Sequence, residues 1–302
     1  MKLHASLSYG TRPQALTPAG IPILTRKMKF DFESKRISRY WYRNNAGLTN
    51  FLYSLSLLFP EGERFFMDSV RHYRKIISDP ALKEHVQGFL GQEAQHSKEH
   101  RAYNNRIQEA GLNAQFVDDW VRRGLELLRK MTGPLDQLAI TTALEHFTAM
   151  MATQLLEKPE FADGAHPEHA ALWRWHAVEE TEHKAVAFDV YKAAGGGYLR
   201  RISWMIGVSA GFPFAIGAIW IYLMASDKKI LDAKSWWGLM KWLAYKPGFA
   251  VGIIPEWFSY FRPDFHPWDY DNSKYIDEWK SKWAPENYTV LYGDERTAPA
   301  EF

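Results

Sequence analysis

One four-residue pattern, Glu-x-x-His, occurs twice in the chain, as Glu93-Ala94-Gln95-His96 and as Glu180-Thr181-Glu182-His183. Both copies lie in segments with helical rather than strand periodicity. On a helix, residues three apart share a face. Each motif therefore presents a carboxylate and an imidazole side by side. A fold that brings the two faces together must set long helices alongside one another.

The punctuation of the chain supplies such helices. One begins near Asn45 and carries LTNFLYSLSLLF, then EGERFFMDSVRHYRKII. Pro60 interrupts it and predicts a kink or a break with restart, because proline removes a donor and clashes with the preceding turn. Ser78-Asp79-Pro80 is a start signal, a capping side chain followed by proline in the first turn. The helix it opens runs from about Pro80 to Ala110 and stops at Gly111. A shorter helix follows over 114–131, then one over 134–157 and one over 167–194, closed by Gly195-Gly196-Gly197. Residues 45–197 thus hold two consecutive pairs of long helices with a short helix between the pairs. That is the layout of an all-α four-helix bundle with one long crossover connection. Residues 1–44, with three prolines and two glycines among the first 30, read as an irregular arm.

The four helices share one chemistry. The second and fourth carry the Glu-x-x-His motifs. The first carries Glu61 and Glu63. The third carries Glu145 within TTALEHFTAM, where an unpaired carboxylate among apolar residues would be costly. One Glu from each of two helices, with Glu-x-x-His from the other two, is the ligand set of di-iron and di-manganese carboxylate bundles. Two divalent ions bring four positive charges, which four carboxylates neutralise while two imidazoles complete the shell. Such an oxygen and nitrogen donor set suits iron first, with manganese or zinc as alternatives. The chain has no cysteine, which removes thiolate sites. The competing reading makes the same residues solvated, salt-bridging helix faces.

The segments FPEGERFF, GQEAQHSKEH, ALEHFTA, EETEHKAVAFDVY and FRPDFHPWD resemble a bacterial family of predicted metal-dependent hydrolases. The first four resemble, more distantly, the ferritin-like di-iron superfamily. The family resemblance covers roughly residues 40–270 and implies a metal site. Carried across residue by residue, it implies Glu63, Glu93, His96, Glu145, Glu180 and His183 as ligands. Glu61 competes with Glu63, although Glu61 follows Pro60 directly and also reads as a first-turn carboxylate. Glu179 competes with Glu180. His100 and His176 share the faces of the two motifs and are expected to orient ligands or line the cavity, with direct ligation as the alternative. His146 points elsewhere and is expected to pack or bond a neighbouring helix. Glu182 is expected to face outward or to pair with a basic residue. His72, His85, His166 and His169 read as surface residues.

The remaining third, residues 198–302, has a different character. Nine of the 13 tryptophans lie after residue 200. Residues 202–225 are 24 in a row without charge, long enough to cross a membrane. The alternative is a fifth helix buried against the bundle or in an oligomer interface such as a homodimer, with Gly207, Gly211, Gly217 and Pro213 weakening it. The following stretch interleaves Trp, Tyr, Lys and Arg with apolar residues, a mixture that favours membrane interfaces. Membrane contact, in the plane or as a span, is therefore expected alongside the alternative of a Trp-rich cap over the bundle. His266 in FRPDFHPWD is expected to serve a local hydrogen bond.

A net charge of +2 leaves no excess to neutralise phosphates and argues against nucleic acid as a partner. The N-terminal stretch has no apolar run of signal-peptide length, which predicts a cytoplasmic protein, peripheral or integral at the inner face of the cytoplasmic membrane. No His-Glu-x-x-His, G-x-S-x-G or P-loop pattern is present. Three functions remain. The leading expectation is O2-dependent oxidation of a hydrophobic or lipid-like substrate, through a channel lined by Phe65, Phe66, Phe89, Phe147 and Met151. The second is hydrolysis by a metal-activated water, as the family description implies. The third is a non-catalytic metal-binding or membrane-attached module.

Overall fold

A computed structural model describes residues 21–32, 37–245, 248–284 and 288–292. It is all-α apart from one two-stranded ribbon. The bundle helices are α1 (Ala46–Tyr73), α2 (Pro80–Glu109), α4 (Pro134–Glu157) and α5 (Pro167–His183), with α3 (Ala114–Met131) as the crossover. α1 packs on α2, and α4 on α5, as the pairing along the chain requires.

Local chemistry sets most of the boundaries. The Asn45 side chain accepts from the Leu48 amide, that of Asp79 from Ala81 and that of Asn113 from Phe116. Gly111 ends α2 with φ +83°, a conformation that L side chains rarely adopt. Pro60 does not break α1, which runs through it. Proline leaves the Ser56 carbonyl, four residues back, without its helical donor. Asn104 of α2 supplies one, its Nδ2 donating to that carbonyl at 3.0 Å.

The expected fourth helix over 167–194 is two helices. α5 ends at His183, and α6 (Val186–Ala193) follows after a turn at Lys184–Ala185. No glycine or proline marks this break. The buried Lys184 ammonium there donates to the Tyr270 carbonyl and to Asn272 Oδ1, each at 2.7 Å, and lies over the Trp268 ring. The turn is thus tied to the C-terminal segment.

That segment comprises α7 (Tyr198–Ser226), α8 (Ala233–Ala244), α9 (Phe249–Gly252), α10 (Ile254–Ser259), α11 (Lys274–Lys282) and the strand β2 (Thr289–Tyr292). α7 lies along α1 and α4. Tryptophans of α7 and α8 tie the segment to the bundle and the arm. Trp220 Nε1 donates to the Gly47 carbonyl at 2.8 Å, and Trp242 Nε1 to the Tyr42 hydroxyl at 2.7 Å. One core cluster joins Phe32 and Trp41 of the arm, Tyr103 and Trp175 of the bundle, and Trp242 and Trp279 of the C-terminal segment.

The arm is not irregular throughout. β1 (Thr25–Lys27) pairs antiparallel with β2 and lies on α2. Gly88 and Gly91 make that approach possible. A Cβ on Gly88 would collide with the Ile23 carbonyl, and one on Gly91 with Thr25 Oγ1. Arg26, the next residue along the strand after Thr25, is fully buried. Residues 1–20 and 33–36 of the expected arm lie outside the described residues.

Candidate metal centre

The four bundle helices bring their carboxylates and imidazoles to one buried place. Two groups of ligand atoms form there. Glu63 of α1, His96 of α2 and His176 of α5 make one, and Glu93 of α2 with Glu180 and His183 of α5 the other, with all atoms of a group within 4.8 Å of each other. Glu180 touches both groups. Its Oε1 lies 3.0 Å from His176 Nε2 and 3.6 Å from His96 Nδ1, and its Oε2 lies 3.6 Å from His183 Nε2. Glu145 of α4 closes the second group, its Oε2 3.6 Å from the same His183 nitrogen. Glu180 thus links the two groups, with one oxygen toward each.

The donor atoms fit cations. Glu63 Oε1, both oxygens of Glu93 and of Glu145, Glu180 Oε2, His96 Nδ1 and His183 Nε2 are buried and have no hydrogen-bond partner. Orphaned buried polar atoms are rare in folded chains, and a cluster of acceptors facing one another asks for positive charge. Burial, with repulsion from neighbouring carboxylates, pushes Glu63, Glu93 and Glu145 well above the ordinary carboxylate range. Burial would raise Glu180 too, but His183 and His176 hold it well below that range.

The other edge of each imidazole is engaged. His96 Nε2 donates to Glu179 Oε2 at 3.0 Å, and His183 Nδ1 to Gln92 Oε1 at 2.8 Å. These partners place the proton away from the centre and leave a lone pair facing it. Burial, then the neighbouring His176, drives His96 well below the ordinary histidine range, so it is neutral. Behind them stands Arg26. Its guanidinium donates to Glu179 Oε1 at 3.0 Å and to the two oxygens of Glu182 at 2.8 and 2.6 Å. Gln92 Nε2 donates to the same Glu182 at 2.7 Å. Burial alone would lower the Arg26 pKa, but Glu182 and Glu179 more than offset it and raise it. On the other side, Ser56 Oγ meets His100 Nδ1 at 2.8 Å, and His100 Nε2 meets His176 Nδ1 at 2.8 Å.

Among the residues expected at the site, Glu63, Glu93, His96, Glu145, Glu180 and His183 come together. His176 joins them with a ring nitrogen among the ligand atoms, where an orienting role had been the first expectation. His100 and Glu179 stand one bond further out. Glu61 is elsewhere, paired with Arg101 at 2.7 Å. His146 faces α10, its Nε2 against the Glu256 carbonyl at 3.1 Å. His266 makes its local bond, its Nδ1 accepting from the Trp268 amide at 3.2 Å, while its Nε2 lies 3.1 Å from Asp189 Oδ1 of α6. Of the two roles expected for Glu182, the structure shows the pairing with a basic residue: it is buried on Arg26 and does not face outward. His169 is not a surface residue: it is buried, stacked on Trp41 with centroids 4.4 Å apart. Arg26 and Gln92 escaped the sequence reading. Arg26 sits in an aperiodic arm far along the chain from its partners, and Gln92 is an ordinary helix residue beside a motif.

Two apolar spaces reach the cluster. An inner cavity of about 70 Å³ is walled by Leu55, Phe59, Met151, Trp173 and Trp242 and touches His176 and Glu180. An outer groove between α3 and α7 ends at Glu63. Of the expected channel residues, Met151 lines the cavity and Phe66 the groove, whereas Phe65, Phe89 and Phe147 are packed in the core.

The fold and the cluster define a class: a helical bundle with candidate ligand groups for metal at its centre. The chain belongs to the family described as predicted metal-dependent hydrolase, whose pattern matches residues 24–271. The match takes in β1 with Arg26, the four bundle helices and the C-terminal segment through Asp271. No curated protein and no solved structure matches the chain at a significant level.

Proposed function

We propose that this chain is a dinuclear-metal enzyme acting on a substrate with a large apolar part. The observation that carries this is the cluster of buried donor atoms without partners, from four helices and facing one another. Glu63, His96 and His176 would hold one ion, and Glu93, Glu145 and His183 the other, with Glu180 between them. Bound metal supplies either a hydroxide nucleophile at neutral pH, as zinc does, or electrons for O2 chemistry, as iron does.

The residues do the rest. Glu179 and Gln92 fix which nitrogen of His96 and of His183 carries the proton. The walls of Phe59, Met151 and Trp173 exclude water and hold apolar groups beside Glu180. Family membership supports hydrolysis as the first reading of the reaction, in which an ester-like bond of an apolar substrate is cleaved. Oxidation is the second reading. It is favoured by the apolar lining of both approaches, because a hydrolase must admit water, and by the four carboxylates, which suit the higher oxidation states of iron.

The test is metal content of the purified chain, before and after exposure to air. About two ions per chain are expected, with loss in Glu93→Ala and Glu180→Ala and full retention in Glu61→Ala. Zinc, with hydrolysis of long-chain nitrophenyl esters, selects hydrolysis. Iron that is oxidised by air selects oxidation. A folded protein that binds no metal refutes the proposal.

A further inference from the structure

Three glycines stand inside helices with no packing reason to be there. Gly62 of α1, Gly124 of α3 and Gly211 of α7 are interior positions, and a Cβ added to any of them would meet nothing within 4 Å. Glycine is the poorest helix former after proline, so helices keep it for a cause. All three line the same groove, of about 630 Å³, between α3 and α7 with α1 and α4 as its floor. The rest of its wall is largely apolar, with Leu58, Phe66, Leu144 and Phe212. At its inner end is Glu63, buried, with Oε1 unpartnered. Phe59 and Thr148 border both this groove and the inner cavity, so the groove leads from the surface to the candidate centre.

The groove opens on an apolar face. Ile206 and Phe214 of α7 are 60% and 71% exposed, and Leu127 of α3 and Phe258 of α10 are 58% and 63% exposed. A soluble monomer rarely shows so extended an apolar patch. The surroundings match a lipid surface. Arg123 on α3 and Lys228, Lys234 and Lys241 at the far end of α7 and on α8 are exposed. The two carboxylates in that stretch are engaged, Asp227 by Arg39 and Asp232 by the α8 N-terminus. Trp237 and Tyr245, of the kind that favours the headgroup level, are 72% and 70% exposed beside those lysines.

We propose that this face rests on an anionic bilayer and that the groove takes the acyl chain of a bilayer lipid, delivering it laterally to Glu63. In naming the substrate, this rests on the metal-enzyme reading above. The contact is in the plane of the membrane. α7 is held along α1 and α4, and a span would carry the exposed Lys83, Glu84 and Lys98 of α2 into hydrocarbon.

The test uses the full chain as purified. Two readouts are sedimentation with phosphatidylcholine vesicles, with or without phosphatidylglycerol, and binding of a fluorescent long-chain fatty acid. Vesicle binding should require phosphatidylglycerol, weaken with salt, and fall at least about tenfold in Ile206→Glu/Phe214→Glu. Gly124→Leu/Gly211→Leu fills the groove and should weaken fatty-acid binding at least about tenfold. Its melting temperature should equal or exceed that of the wild type, because leucine is the better helix former. No vesicle binding, or unchanged fatty-acid affinity in the filled groove, overturns the proposal. Metal content of the same samples separates the two readings. Lipid binding without metal leaves this inference standing and removes the other, and metal without lipid binding does the reverse.

Discussion

Arg26→Met removes a side chain that touches no ligand atom yet should damage both stability and metal binding. The guanidinium makes three charge-assisted hydrogen bonds to Glu179 and Glu182, and all three side chains are fully buried. Methionine approximates its volume, so packing is largely kept. What is lost is the only cation that faces either carboxylate among the described residues. Gln92 still donates to Glu182, and His96 to Glu179, but neither donor is a fixed charge. Deleting one partner of a buried ion pair costs about 3–5 kcal/mol. At about 2–4 °C per kcal/mol for a chain of this size, the melting temperature should fall on the order of 10 °C.

Metal affinity should fall separately. Without Arg26, Glu179 Oε1 is left unpaired, and the carboxylate is free to take a proton or rotate. His96 then loses the acceptor that turns its Nδ1 toward the cluster, and loss of such an outer partner typically weakens metal binding about 10–100-fold. The two effects can be parted. Arg26→Met/Glu179→Gln/Glu182→Gln removes the charges on both sides and should regain most of the stability, since uncharged replacements of buried ion pairs are often neutral. It should not regain the affinity. The assays are thermal unfolding of the chelated protein and competitive metal titration. A fall of less than about 1 kcal/mol in Arg26→Met, in the range of exposed pairs, would refute the reasoning. So would a triple variant that recovers full metal affinity.

Two further outcomes follow. Asn104→Ala should destabilise the protein by about 1–3 kcal/mol, because the Ser56 carbonyl that Pro60 strands loses its donor. Pro60→Ala in that background should restore much of the loss in chemical denaturation, and failure to do so would separate the two residues. Metal-free wild type should lose stability relative to Glu145→Gln as the pH rises above about 4.5. A folded carboxyl raised above its unfolded value binds its proton more tightly in the native state, so its stabilisation is complete below the unfolded pKa and is lost on ascent through the folded one. Metal should abolish that slope, and a chelated wild type that gained stability relative to the variant over the same range would contradict the environment drawn for Glu145.

What could be read from the sequence was what is local. Asn45, Asp79-Pro80, Asn113 and Gly111 mark helix ends through bonds made within a few residues, so the boundaries of α1 to α4 could be placed. The two Glu-x-x-His motifs could be read for the same reason, since the helix itself aligns their members. His176 shows the limit of this. Its spacing from Glu180 put it on the right face, but whether its ring reaches the ligand atoms depends on how closely α5 approaches α1. The turn at Lys184–Ala185 carries no glycine or proline, and the partners that hold Lys184 there are more than eighty residues away. Arg26 was hidden most completely, in an arm with no periodicity. Its position depends on Gly88 and Gly91, whose missing side chains let the strand lie on α2, a contact that no local pattern in the helix signals.

In the proposed metal reading, charge favours two ions over one. Glu63, Glu93, Glu145 and Glu180 are all buried, and an isolated charge in such surroundings is costly. One divalent ion would leave two negative charges, which protons would have to neutralise, at the expense of the ligands. Two divalent ions balance four carboxylates. The outer layer is balanced less fully, with one guanidinium against Glu179 and Glu182. Burial pushes Glu179 up to about 7 despite Arg26, so near neutrality it holds its proton part of the time. The residue that orients His96 therefore carries the one negative charge left uncompensated around the centre. That makes Glu179, more than any ligand, the side chain through which a change in the charge of the bound ions would be felt, and Glu179→Gln the substitution that would disconnect it, with the charged acceptor on His96 lost as well.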